Sequence, residues 1–249
     1  MHGPWVDTHC HLQLDDRPTD ELLARAEPHL AWLVAPGIDA ESSERSVELA
    51  SRYRAVVATA GLHPHDAARW EAERERIEAL IPLVSAVGET GLDFYRNLAP
   101  VEDQRRSFLD QIDLALGADL PVIVHCRDAF SDIYEILFNS PVRAILHCWT
   151  GGPRWTKRFL EIETVTFSYA GPVAFETGDT VRMGAALVPP DRCLVETDTP
   201  YLAPPPHRQE QNEPAFVRYV GAALGDVWGI SVDEVAAVTA NNAARVFGR

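Results

Sequence analysis

Lysine is almost missing from this chain: of 22 basic residues only Lys157 is a lysine, the others being arginine. Cationic charge is scarce altogether, and a formal net charge of −15 excludes the broad basic surface that holds nucleic acid through many phosphate contacts. If nucleic acid is bound at all, a local site must do it. No apolar run approaches the roughly 18 residues that span a bilayer, and no basic stretch leads into an apolar one at the start. The sequence therefore predicts a cytoplasmic chain with no membrane partner. The four cysteines, Cys10, Cys126, Cys148 and Cys193, are widely separated and form no CxxC pair, which excludes the disulfide framework of a small secreted domain.

What is present is a sizeable apolar fraction, 46% of 249 residues, with 24% charged. That suffices for one well-packed α/β barrel domain over residues 1–249. Short β-branched runs recur near Trp5–His9, Ala31–Ala35, Ala55–Ala60, Leu83–Gly88, Pro121–Cys126, Arg143–Cys148, Thr164–Ser168 and Arg192–Thr197. Stretches of helical periodicity lie between them at Glu41–Arg54, Asp66–Leu80, Val101–Leu116, Asp128–Phe138, Pro153–Leu160 and Thr177–Leu187. Two more, near Glu213–Leu224 and Ser231–Ala244, follow the last strand. This alternation predicts an α/β fold, a (β/α)8 TIM barrel with C-terminal helices.

In such a barrel the chemistry sits at the C-terminal ends of the strands. His9 and His11 end the first predicted strand, Glu89 the fourth, His125 the fifth, His147 the sixth and Asp198 the eighth. A lone histidine there is usually structural, but four histidines and two carboxylates at one rim read as metal ligands. Strand alternation sends His9 and His11 to one side and Cys10 to the other, and the same parity turns Cys126 and Cys148 away. The cysteines are thus expected to be buried packing residues. Nitrogen and carboxylate donors without thiolate suit zinc, manganese, nickel or ferrous iron, and magnesium where water completes the shell. Six ligands exceed the needs of one four-coordinate ion and are better used by two divalent ions sharing a carboxylate. Lys157 ends no strand, so a carboxylated lysine is not available as the bridge and Glu89 is.

The segments "DTHCHL", "GLHPH", "GETGLDFYR", "PVIVHCRD", "LHCWTGG" and "ETDTPYLAPPPHRQEQNEP", in this order and spacing, resemble the TatD-like metal-dependent deoxyribonucleases, a branch of the amidohydrolase-type barrels. The likeness covers essentially the whole chain. It implies that His9, His11, Glu89 and Asp198 bind one metal and that Glu89, His125 and His147 bind the other. It also implies hydrolysis of DNA phosphodiesters, often from a 3′ end, supported by magnesium or manganese. The chain departs from the usual pattern at Gln13, where an aspartate is common, at Trp149, where phenylalanine is, and at Gln209 and Glu210, where glycine and lysine are. The last change puts a negative side chain beside the expected binding face.

Two divalent ions about 3.5–4 Å apart bring the pKa of a shared water to near 7, and Asp198 is then placed to accept its proton as general base while Glu89 bridges. Arg127, two residues past His125, is a candidate phosphate contact through its planar fork, against a surface ion pair. His63 and Arg96 are further candidates for the substrate phosphate, each against a structural role. Tyr201 and Trp149 can stack on bases of a single strand or pack in loops. His2, His29 and His207 show no partners and read as solvent-facing, whereas His65 belongs beside a helix start and Asn242 and Phe247 to helix capping and packing. The reading that follows is a dinuclear metal nuclease acting on DNA ends, with single-stranded DNA as the nucleic-acid partner. Two alternatives stay open: a deacylase or lactonase using the same chemistry on a carbonyl, and a noncatalytic barrel that stores metal or binds a partner.

Overall fold

The computed structural model describes residues 5–249, and His2 lies outside the described residues. Strands and helices alternate as β1 (Trp5–Asp7), α1 (Thr19–Ala26), β2 (Leu30–Ala35), α2 (Ala40–Arg52), β3 (Val56–Ala58), α3 (Trp70–Leu80), β4 (Val87–Asp93) and α4 (Val101–Ala118). They continue as β5 (Val122–Arg127), α5 (Phe130–Phe138), β6 (Ala144–Leu146), α6 (Gly152–Phe159), β7 (Val165–Tyr169), α7 (Asp179–Ala185), β8 (Cys193–Val195), α8 (Val217–Trp228) and α9 (Val232–Phe247). This is eight βα repeats with one added helix, the order of the (β/α)8 class, and every strand pairing described is parallel. Among the described residues no helix is long and apolar enough to cross a membrane.

The contacts divide the chain into two compact units. One takes the described residues up to Val34 with Cys148–Glu161 and Thr166–Arg249; the other takes Ala35–His147 and Ile162–Val165. In the first, β1 pairs with β2 and β7 with β8. Its core is built on Trp5, which fills the space a side chain at Gly221 of α8 would need: a Cβ there would lie 2.2 Å from the indole. Only glycine allows that approach. Ser231 and Glu234 form a capping box that starts α9. Asn242 on that helix donates to Pro190 O and Cys193 O, both at 2.8 Å, fixing α9 to the entry of β8, and Phe247 packs edge-on against Trp32.

In the second unit β4, β5 and β6 are consecutive neighbours. Ala40, Ala60, Leu62, Trp70 and Ile77 form a fully buried cluster, each large side chain contributing about 1.5–3 kcal/mol. Asp39 caps α2 by accepting from Ser42 N at 2.7 Å. The buried amide of Gln111 on α4 bonds both Leu62 N and Leu62 O, at 2.8 and 3.0 Å, which sets the height of the "GLHPH" loop.

Three expectations need correction. The fourth strand is not Leu83–Gly88: Ile81–Leu83 is a 3₁₀ turn containing Pro82, and pairing starts at Val87. The helix expected from Asp66 starts at Trp70, because Pro64–Arg69 winds as a 3₁₀ turn. The eight-residue α1 was hidden by its shortness and by the polar "DDRPTDE" that opens it.

Candidate metal centre

Glu89 does not end its strand but sits inside it, and glycine explains how. Gly88 and Gly91 adopt φ of +139° and +135°; a Cβ at either would meet the β5 backbone, Ile123 O at 2.7 Å or His125 O at 2.1 Å. Between Val87 and Thr90 the chain advances three residues while β5 advances two, Val122 to Val124. That bulge re-aims the side chain. Glu89 is 3% exposed, its amide donating to Gly37 O at 2.6 Å.

Three imidazoles converge on one of its oxygens. His125 Nδ1 lies 3.0 Å from Glu89 Oε1, His147 Nε2 3.3 Å and His63 Nε2 3.4 Å. The other nitrogen of His125 faces Asp93 Oδ2 at 3.2 Å, and that same oxygen meets His65 Nε2 at 2.8 Å. Burial opposes ionisation of Asp93, but bonds from His125, the Arg96 amide and His65 outweigh it and hold the carboxyl well below its usual range. For His125 burial opposes the charged form, and Asp93 and Glu89 more than offset it. His63 goes the other way: burial pulls it down to about 4. Its Nδ1 accepts from His65 N at 3.2 Å, which leaves the ring proton on Nε2, facing Glu89. His63 is therefore a neutral N–H donor toward Glu89.

The other unit gathers a second donor set. His9 and His11 lie beyond the end of β1, their Nε2 atoms 3.1 Å apart, and stand 3.8 and 3.6 Å from Asp198 Oδ1. Cys10 between them is buried and bridges to Thr199 instead. Asp198 takes a left-handed φ of +59°, a conformation Asp tolerates, and its amide donates to His9 O at 2.9 Å. Beneath these residues the buried Asp7 accepts from Thr197 N at 2.9 Å, Thr197 Oγ1 at 2.6 Å and His9 N at 3.3 Å. Burial pushes its carboxyl well above the usual range, the three bonds offsetting only part of that. Glu196, also buried, accepts from Cys148 N at 2.8 Å and from Ser168 Oγ. Gln13 Nε2 approaches His11 Nδ1 at 3.4 Å, where an aspartate would have accepted a proton.

Asp7, Asp93, His65 and Glu196 have no role in the motif reading. The signal for Asp93 was available: it lies four residues after Glu89 on one strand, hence on the same side. The remaining candidates divide. Among the described residues Arg127 forms no ion pair, and its guanidinium lies 4.1 Å over the Tyr95 ring. Arg96 is exposed and uses its amide on Asp93. Trp149 is a core residue, bonded through Nε1 to Thr156 and packed on Phe159 and Phe167. Tyr201 is exposed, its ring 6.3 Å from that of His11. His207, expected in solvent, stacks on Phe216 with centroids 3.9 Å apart and bonds Glu210. Cys126 and Cys148 are half-buried rather than buried. Burial still pushes the thiols of Cys10, Cys126 and Cys193 up, so none is poised as thiolate.

Each donor set is oxygen and imidazole nitrogen without sulfur. Such sets fit divalent ions of borderline to hard character.

The TatD related DNase family matches residues 6–248. An uncharacterized metal-dependent hydrolase, YabD of Bacillus subtilis, is 33% identical over 97% of this chain and 98% of its own. The 3′-5′ ssDNA/RNA exonuclease TatD of Erwinia amylovora is 37% identical over 92% of this chain and 93% of its own. Among solved structures, YJJV, a TatD homolog from Escherichia coli, superposes with a TM-score of 0.91 at 27% identity, covering 98% of both chains.

Proposed function

The chain belongs to the TatD related DNase family, and from that premise we propose that it is a metal-dependent hydrolase that digests single-stranded DNA from the 3′ end with two divalent ions, magnesium, manganese or zinc. Hydrolysis of phosphodiesters by a metal-dependent enzyme is the activity of this family. The strand preference, the direction and the metal count are our reading. The observation that carries it is the convergence of three imidazoles on one oxygen of the buried Glu89, a clustering of buried titratable groups characteristic of cation-binding and catalytic sites. The exonuclease name of the Erwinia relative supports the substrate and direction.

In this proposal His9, His11, Glu89 and Asp198 would hold one ion, and Glu89, His125 and His147 the other. When bound, such ions supply an acidified water and neutralise charge developing on the phosphoryl oxygens. The chain's own groups do the rest. Asp198, with one oxygen toward His9 and His11, takes the proton from the attacking water. Asp93 fixes the ring of His125 by holding its outer nitrogen, the usual support for a metal-ligating imidazole. His63 presents an Nε2–H, a donor for a nonbridging phosphate oxygen, and Arg127 and Arg96 supply the positive charge that the acidic chain otherwise lacks. Four free cysteines support a reducing, cytoplasmic location.

The test is an end-labelled oligonucleotide assay with manganese or magnesium, run beside acyl ester and lactone substrates. Stepwise loss of nucleotides from the 3′ end, abolished by a chelator, is expected. An intact oligonucleotide beside a hydrolysed ester would replace the nuclease with the deacylase, for which Glu210, exposed where a lysine is common, already argues.

A further inference from the structure

Two residues past Asp93, Tyr95 stands 62% exposed, a costly place for an aromatic ring unless something covers it. Its loop is not loose. The buried Gln104 of α4 accepts from Asp93 N at 2.8 Å and donates to Ala99 O at 2.8 Å, with longer bonds of 3.4 Å to Asp93 O and Asn97 Oδ1. With the inner side of the loop stapled, Tyr95 is held outward on a fixed backbone. Phe94 N also donates to Arg127 O at 2.9 Å, and Asp93 is the register partner of Arg127. Tyr95 and Arg127 are thus carried by paired strand ends, and Arg127 lies two residues from His125.

Arg127 covers one face of the ring, with its guanidinium carbon 4.1 Å from the centroid. The exposure of Tyr95 leaves the opposite face to solvent. Most arginines of this acidic chain are neutralised: Arg69, Arg74, Arg76 and Arg105 each pair with a carboxylate. Among the described residues Arg127 makes no ion pair, so an exposed cation sits two residues from His125. An open aromatic face backed by an unneutralised guanidinium is complementary to a planar base joined to a phosphate.

We infer that Tyr95 and Arg127 form a nucleotide subsite: the open face of Tyr95 stacks an unpaired base while Arg127 holds the adjoining phosphate. The inference rests on the nuclease reading of the neighbouring site and adds to it a reason for single-strand selection. A base engaged in a duplex has no free face to offer, whereas a splayed base does. The phenol hydroxyl has no part in this; the ring does.

Tyr95→Ala, Tyr95→Phe and Arg127→Lys should be compared on a single strand and on the same strand with abasic residues at the cleaved end. Tyr95→Ala should raise KM for the base-bearing strand about tenfold, within the range of base–aromatic stacking, with kcat little changed and the abasic strand unaffected. Tyr95→Phe should behave as the unsubstituted chain, and Arg127→Lys should weaken both strands alike. Equal behaviour of Tyr95→Ala and the unsubstituted chain on both strands, or equal loss on both, overturns the subsite and leaves the nuclease reading standing. If the unsubstituted chain binds a fluorescent strand without cutting it, the Tyr95→Ala shift in Kd decides the matter. A chain that neither cuts nor binds overturns both readings.

Discussion

The two donor sets are held in place by different means. His125, His147 and Glu89 stand on or at the ends of strands, and their orientation comes from other ionisable groups: His125 between Glu89 and Asp93, Asp93 between His125 and His65. His9, His11 and Asp198 lie past their strands in irregular chain, where backbone amides, hydroxyls and the buried Asp7 fix the path. Charge aims the first set and hydrogen-bonded backbone aims the second. The two should therefore fail differently: a change in the first set disturbs metal affinity before stability, and one beneath the second disturbs stability first.

The largest effect is expected at Glu89. Glu89→Gln should lower kcat/KM on an oligonucleotide on the order of a thousandfold, because the ions it would hold are what neutralise the charge developing on the phosphoryl oxygens. It should also lower bound manganese by more than about one ion per chain if Glu89 serves two ions. Asp198→Asn should cost about 10²–10⁴-fold, the general-base range, with about one ion lost; equal metal loss in both variants, measured by elemental analysis, would remove Glu89 as a bridge. Next, Asp7→Ala should cost about 2–4 kcal/mol, because Thr197 N and its hydroxyl lose their buried acceptor. Thermal unfolding of metal-free protein checks this. Asp93→Asn should instead weaken metal binding about 10–100-fold, the usual effect of losing support behind a ligating imidazole, with a smaller shift in Tm. A larger Tm loss for Asp93→Asn than for Asp7→Ala would break the comparison.

The smallest effect concerns Asp15, which accepts from the Arg17 side chain at 2.6 and 2.9 Å while Arg17 also reaches Asn212 O. Asn212 in turn holds Thr197 O. Burial opposes the charge of Asp15, but the Arg17 bonds prevail and its pKa is lowered. The unfolded chain therefore binds this proton more readily, and the stabilisation is present above the ordinary carboxylate range and lost as pH falls through the lowered value. Asp15→Asn should cost about 1–2 kcal/mol near neutral pH, since the Asp15 carboxylate is shielded from solvent while Arg17 keeps part of its side chain exposed. The difference in Tm from the unsubstituted chain should narrow in acid.

Much of this was readable in the chain itself. Eight apolar runs followed by amphipathic stretches state the βα alternation, and the pairing of each histidine or carboxylate with a strand end states where to look. What escaped did so for local reasons. Glu89 lies inside β4 rather than at its end because the two glycines in "VGETG" let β4 run close along β5 and carry a bulge. Asp93 could be placed by its spacing from Glu89 on β4, but its partner His65 could not, because the two meet across 28 positions of sequence. His207 had no visible partner until the proline-rich loop brought it onto Phe216.

The sequence by itself determined the donor chemistry: imidazole and carboxylate without available thiolate, no lysine at a strand end, and a family motif over the whole chain. Periodicity and residue type carry that information locally. Only the tertiary structure decided which nitrogen of His63 keeps its proton, which carboxylate steadies His125, and that Arg127 rests on Tyr95 rather than on an acid. Those are settled by distances of about 3–4 Å between groups remote in sequence, and hydrogen-bond and stacking energies fall away within that range.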